Sequence, residues 1–301
     1  MTSTSKNNKK TSQELHEEET AELEAIRARV KARRLRAARE LAGRLQVKPD
    51  GSREFIRFNS MERLQHQILI GSFTALGFTG LMQSFSRFNV VAWVINILLG
   101  GVETLRVIHH LAAFVFGVQA IYHFGEIAYL WFIRREKGSM WPSANDFKDL
   151  VATFKFNLNL SKEHAKPDRY SIEEKVEYWA LLWGTVIMGI TGIFQGFPML
   201  VTSIMPGEAI PISRTIHAWE AILAVASILT WHMYHTVIKE KNKSIFTGVM
   251  SEDEMIEAHP MEYRRILAAA EFVRKAEAQG LDEMSEQVES HHEMAELGTT
   301  D

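Results

Sequence analysis

The stretch RTIHAWEAILAVASILTWHMYH, residues 214–235, sets three histidines into a run otherwise suited to lipid. Imidazole is expensive in hydrocarbon unless something ligates it or hydrogen-bonds it. His217 and His232 stand 15 apart here, and His109 and His123 stand 14 apart in RVIHHLAAFVFGVQAIYH, residues 106–123. On an α-helix 15 residues rise about 22 Å and turn about 60°, and 14 residues rise about 21 Å and turn about 40°. Each helix therefore presents one imidazole near either side of a bilayer, on nearly one face. Two levels of facing imidazoles are what a four-helix bundle needs to hold two haems, each iron taking a histidine from either side. A lone membrane histidine is more often helix glue through a hydrogen bond. It is the repeated pairing that raises the expectation of haem, with His66 joining the inner level from an earlier apolar run.

The elements that must position these residues are uncharged spans. The chain has 301 residues, 46% hydrophobic and 24% charged, with a formal net charge of −3. Those averages hide segregation: residues 64–86, 107–125 and 178–207 contain no Asp, Glu, Lys or Arg, and residues 215–238 contain one acid, Glu220. About 20 apolar residues cross a bilayer as a helix, which predicts an all-α integral membrane fold with spans at about 64–84, 105–133, 176–198 and 215–238. Soluble core helices would show a polar stripe toward water, and these do not. Lys and Arg crowd residues 1–63, the 134–175 connection and the tail from Lys239, so the positive-inside rule puts both termini in the cytoplasm. His109 and His217 then lie at the outer level, and His66, His123 and His232 at the inner. The N-terminus shows neither the apolar core nor the cleavage site of a signal peptide, so the first span is expected to direct insertion.

Around the spans, the sequence divides into a charged N-terminal region (1–50), the membrane domain (51–250) and a C-terminal helix with an acidic tail (251–301). Residues 13–46 read as one long helix, solvated or lying on a partner or anionic lipid, with residues 1–12 and the last twenty expected to be disordered. Pro49-Asp50-Gly51 marks a turn. Residues 90–101 are too short to cross and are expected at the outer interface. A short amphipathic helix is expected after Pro142, and a helix broken at Pro260 over 251–279. No internal repeat is apparent. The chain has no cysteine, which excludes disulfides, iron–sulfur ligation, Cys-based zinc sites and covalently attached c-type haem within it. No Gly-rich dinucleotide fingerprint precedes a strand–helix alternation, and no nucleic-acid partner is expected.

ERLQHQILIGSFTALGFTGL (62–81), RVIHHLAAFVFGVQAIYH and RTIHAWEAILAVASILTWHMYH together resemble the b-type cytochrome subunits of formate dehydrogenases, nickel–iron hydrogenases and thiosulfate reductases. They are most similar to bacterial cytochrome b proteins that work with periplasmic multihaem c-type cytochromes, a group whose tail IFTGVMSEDEMIEAHPMEYRRI (245–266) also resembles. The resemblance implies an inner-membrane, multi-pass dihaem protein exchanging electrons between the quinone pool and a periplasmic redox subunit, with an oligomer left open. It implies that His109 and His217 ligate the outer haem and that His232 is one ligand of the inner. His66 or His123 supplies the other, with His66 favoured by ERLQH. His235 stands where Asn is expected, which leaves room for a third haem.

Arg106 and Arg214, each three residues before a histidine, are candidates for the propionates, as is Arg63, or else they are interface anchors. Glu220, on His217's helical face, is expected to orient a neighbour or relay a proton, and Glu126 to relay a proton, serve a quinone site or simply snorkel to the interface. Glycines at 71, 77, 80, 117, 184, 189, 192 and 196 would give a porphyrin room or allow close helix packing. The rival readings are a metal-ion transporter and a ferric reductase that needs no dedicated partner.

Overall fold

The computed structural model describes residues 12–135, 138–162 and 166–279; the termini expected to be disordered lie almost wholly outside them. The chain divides into two compact units, Ile56–Met261 and a smaller one of Met1–Phe55 with Glu262–Asp301. In the smaller unit, helix α1 (Ser12–Ala42) is followed by strands β1 (Leu45–Val47) and β2 (Arg53–Ile56), paired antiparallel with Leu45 opposite Phe55. The turn between them is the expected one. The Asp50 carboxylate accepts from the Ser52 N–H at 2.9 Å and its hydroxyl at 2.7 Å, and Gly51 takes φ +83°. The strands themselves were not foreseen. Ala32, Leu35, Phe55, Ile266 and Ala269 are buried, and Arg44 pairs with Glu262 at 2.9 Å.

The larger unit is built on four long helices: α2 (Ser60–Ser84), α4 (Val102–Ala128), α6 (Ile172–Gly196) and α8 (Ala209–Ser227). Helix α3 (Asn89–Ile97) lies between α2 and α4, α5 (Ala144–Asn157) between α4 and α6, and α7 (Pro198–Thr202) between α6 and α8. After α8 come α9 (Ser244–Thr247), strand β3 (Val249–Ser251), α10 (Glu252–Ala258) and the start of α11 (Pro260–Ala278), with the break at Pro260 as expected. Val102–Ile133, Ile172–Gly196 and Ala209–Lys239 are long and apolar enough to cross a membrane, and at most 6% of each apolar window is buried by protein. Those apolar surfaces need lipid, because a soluble core would bury them. Helix α2 has the length, 25 residues, but Gln65, His66, Gln67 and Gln83 make it more polar.

The helices form two hairpins, α2 on α4 and α6 on α8. The hairpins repeat each other, which corrects the sequence reading. The N-caps Asn59 and Ser171 stand 112 residues apart, and each closes a capping box, with Glu62 and Glu174 respectively. At the same offset Thr79-Gly80-x-x-Gln83 recurs as Thr191-Gly192-x-x-Gln195. In the second helices Arg106-x-Ile108-His109 recurs 108 residues on as Arg214-x-Ile216-His217. The offset differs between the two arms and the intervening apolar residues have drifted, so a fixed-period scan misses it.

One departure from uniform geometry matters. The turns Tyr129–Ile133, which follows α4, and Ile228–His232 and Tyr234–Lys239, which follow α8, are π-helical. A π turn holds one residue more than an α turn, so the 60° rotation expected between His217 and His232 does not apply. The extra residue accounts for the 15-residue spacing where the first hairpin has 14.

In the first turn of α6, Lys175 forms a buried ion pair with Asp146 at 2.8 Å that fastens α5 to α6. His259, also buried, donates Nδ1–H to the Asp168 carbonyl at 3.0 Å. Gly248 takes φ +88°, and its carbonyl accepts from the Arg57 and Phe58 N–H groups.

Candidate functional site

The structure brings four of the five singled-out histidines together in two pairs, each with one member from either hairpin. The rings of His109 (α4) and His217 (α8) have centroids 6.4 Å apart. The rings of His66 (α2) and His232 (following α8) are also 6.4 Å apart. A ring nitrogen binds a transition metal at about 2 Å, so imidazoles on opposite sides of one iron have centroids about 6 Å apart.

Hydrogen bonds fix which nitrogen of each ring is left to bind. Thr79 donates its hydroxyl to the Ala75 carbonyl at 2.6 Å, so its oxygen accepts from His109 Nδ1–H at 2.9 Å. Thr191 does the same for His217: it donates to the Ile187 carbonyl at 2.7 Å and accepts from Nδ1–H at 2.9 Å. His232 Nδ1–H donates to the Glu177 carboxylate at 2.8 Å. All three rings keep Nε2 as the lone-pair nitrogen, the form a metal needs. His66 Nδ1 is buried and has no hydrogen-bond partner among the described residues.

His123 is held differently. Gln65 donates its amide N–H to Glu126 at 3.1 Å, so its oxygen accepts from His123 Nδ1–H at 3.2 Å. His123 Nε2 then accepts from the Tyr178 hydroxyl at 3.1 Å. Both nitrogens are engaged within the protein.

The glycines divide by role. A Cβ at Gly80 would meet the His109 ring at 3.3 Å, and one at Gly192 the His217 ring at 3.4 Å, so their absence lets the rings lie against α2 and α6. Gly71 is exposed, with nothing within 4 Å of where its Cβ would be, and lines neither pair. Gly184 instead admits a carboxylate, since a Cβ there would lie 2.9 Å from Glu220 Oε1. Glu220 thus faces α6, and the group on His217 Nδ1 is Thr191. Of the arginines, Arg63 donates to the Phe246 and Thr247 carbonyls at 3.0 Å, Arg106 pairs with exposed Glu103 at 2.9 Å, and Arg214 lies exposed on α8. His235 Nδ1 lies 3.0 Å from the Trp231 carbonyl. Thr79, Thr191, Glu177, Gln65 and Tyr178 were not singled out from sequence, although the Thr-Gly-x-x-Gln repeat marked the first two.

A family model described as prokaryotic cytochrome b561 matches residues 57–248, more than half of the chain. The chain belongs to that family. The matched range begins just before α2 and ends at Gly248, so it takes in both hairpins and every histidine of the two pairs. Membership makes this cytochrome b561 a membrane protein that binds haem b and transfers electrons. Two facing imidazole pairs, three of their four rings held with Nε2 as the lone-pair nitrogen, fit that cofactor. No curated protein matches the chain.

Proposed function

We propose that this cytochrome b561 is a dihaem carrier that moves electrons one at a time between the quinone/quinol pool and a periplasmic redox partner, such as a multihaem c-type cytochrome or an oxidoreductase subunit. The observation that carries the reading is the pair of cross-hairpin imidazole pairs, both at 6.4 Å. His109 and His217 hold the outer haem, and His66 and His232 the inner. His66 is preferred to His123 because His123 spends both nitrogens on protein partners. Bound haem b supplies the one-electron redox couple. The chain's own groups orient it: Thr79, Thr191 and Glu177 hold the ligand tautomers, and the buried hydroxyls keep the rings from turning.

Helix α2 is the fourth span of a bundle in the bacterial inner membrane, with both termini cytoplasmic. Its support is the repeat: α2 corresponds to α6 from N-cap to last turn, and α6 is long and apolar enough to cross. Arg106 and Arg214 stand at corresponding outer ends of α4 and α8, where an exposed guanidinium can meet a propionate or a headgroup.

A pyridine haemochrome assay on the purified chain should give two haems b. His66→Ala should lose one of the two and His123→Ala should keep both. A single haem in the native chain, or loss on replacing His123 alone, overturns the pairing. A chain that shows no haem spectrum on dithionite reduction and carries zinc instead would restore the transporter reading.

A further inference from the structure

The hairpin repeat gives the inner histidine pair a counterpart. His66 corresponds to Tyr178, Gln65 to Glu177, and His123 to His232 once the π-helical residue is allowed for. The contacts correspond as well. Glu177 holds Nδ1 of His232 and Gln65 holds Nδ1 of His123, while His232 faces His66 and His123 faces Tyr178. The same bundle position that takes a metal on one side therefore carries, on the other, a histidine base capped by a phenol.

Two features bear on ligand access near that second position: space further along both helices, and an acceptor close to His123 without a partner among the described residues. On the first side Gly77 is closed by Val225, 3.0 Å from where its Cβ would be; the corresponding residues on the second side are Gly189 and Gly117, and nothing lies within 4 Å of a Cβ at either. Helices α2 and α8 pack closely, and α4 and α6 have no comparable approach among the described residues. In addition, Gln119 Oε1 is buried without a hydrogen-bond partner among the described residues. Gln119 lies one turn from His123 on the same face of α4, and its amide N–H is spent on the Gln65 carbonyl at 3.0 Å. Helix α4 thus carries two acceptors about one helical turn apart, His123 Nε2 and Gln119 Oε1, the first with the Tyr178 ring edge-on to it at 5.9 Å. A flat ring with hydroxyls at opposite ends matches that set.

We propose that the α4–α6 seam binds a quinol headgroup, with one hydroxyl on His123 Nε2 in place of Tyr178 and the other on Gln119 Oε1. This rests on the quinol reading given above and names its site. His123 is the base: the quinol O–H breaks, its proton goes to Nε2, and its electron leaves to a b-type haem as oxidant. Once His123 has passed its proton on, the second O–H breaks, its proton leaving by the same Nε2 and its electron going to a b-type haem, so that quinol yields quinone, two protons and two electrons. Glu126, 3.9 Å from His123 Nδ1 and part-exposed, balances the imidazolium and passes the proton out.

The test uses the purified, haem-loaded full chain. Decylubiquinol or a short-chain menaquinol is mixed with it under anaerobic conditions, and haem reduction is followed at matched haem content. His123→Leu should slow reduction about a hundredfold, the range of a lost general base, with the dithionite-reduced spectrum unchanged. Gln119→Leu should raise the quinol concentration needed for half-maximal rate about tenfold. An azido-quinone should crosslink to the peptides carrying His123 and Tyr178, and less so in Gln119→Leu. Should the native chain be reduced by dithionite and by neither quinol, the quinol reading itself fails. If the native chain is reduced by quinol and both variants match it, with the crosslink elsewhere, the seam is not the site. Loss of a haem from His123→Leu would make His123 an iron ligand and overturn the assignment.

Discussion

Thr79 and Thr191 do for their histidines what a carboxylate does in many metal sites, with a neutral group suited to lipid. Each hydroxyl is committed to its own helix, so the only role left to its oxygen is to accept from Nδ1–H. Thr191→Val keeps the shape and removes that acceptor, and loss of such an orienting partner typically costs 10–100-fold in metal affinity (roughly). Titrating haem into the purified variant should show the outer site weakened by that order and the inner unchanged. His217→Ala should remove the outer haem outright while the inner one stays, because the sites lie about 22 Å apart by helical rise; equal loss of both redox signals in a potentiometric titration would contradict it. The histidines were legible in the sequence because imidazole is conspicuous in an apolar run. The threonines were not, because a threonine in a membrane helix has the size and polarity of many packing residues, and only its partner reveals its use.

At the scale of elements, the π turn after α8 takes up the extra residue before His232. Deleting Leu229 should restore an α-helical path with the 14-residue spacing of the first hairpin and leave His232 on nearly the same face. Both haems should then be kept, as read by the haemochrome assay; loss of the inner haem would mean that the π turn itself aims His232. Helix α5 depends on one buried pair. Burial pushes the Asp146 carboxyl up, but the hydrogen bonds from Lys175 and Ser143 outweigh it and hold the group below its ordinary value of 3.8. Its stabilisation is therefore present at neutral pH and lost only as pH falls below that value. Lys175→Met would leave the carboxylate buried and alone, at about 3–5 kcal/mol, seen as a lowered Tm in detergent. His259 also loses stability on acidification, but in a higher pH window. Burial first, then the nearby Arg57 charge, lower its pKa from 6.5 to about 3. Between those values the unfolded chain takes up the proton and the folded chain does not, so stability is full above about pH 6.5 and falls below it, by at most about 1.4 kcal/mol per unit. His259→Gln should flatten the loss of Tm between pH 7 and pH 5.

For the molecule as a whole, the absence of cysteine makes topology directly readable, since any introduced thiol is the only one. On the proposed arrangement Ser86→Cys, between α2 and α3, should react with an impermeant maleimide on intact cells, and Glu22→Cys and Glu277→Cys only after lysis. The reverse pattern would invert the bundle. Three of the four expected spans, those of α4, α6 and α8, are helices long and apolar enough to cross, because uncharged runs leave few alternatives; α2 is a helix where the fourth was expected, but a more polar one. What could not be read was the relation between helices. Asn59 and Ser171, or His66 and Tyr178, are different residues at matching places, and only the shared capping boxes and partner geometry make them correspond. That relation has a consequence for biogenesis. On the proposed ligation neither hairpin owns a complete ligand pair: His66 and His109 come from the first, His217 and His232 from the second. Cofactor loading must therefore wait until the second hairpin has left the translocon, and the loaded cofactor then rivets two separately inserted halves. A chain split within the 134–171 connection and expressed as two fragments should recover its spectrum only when both are made together.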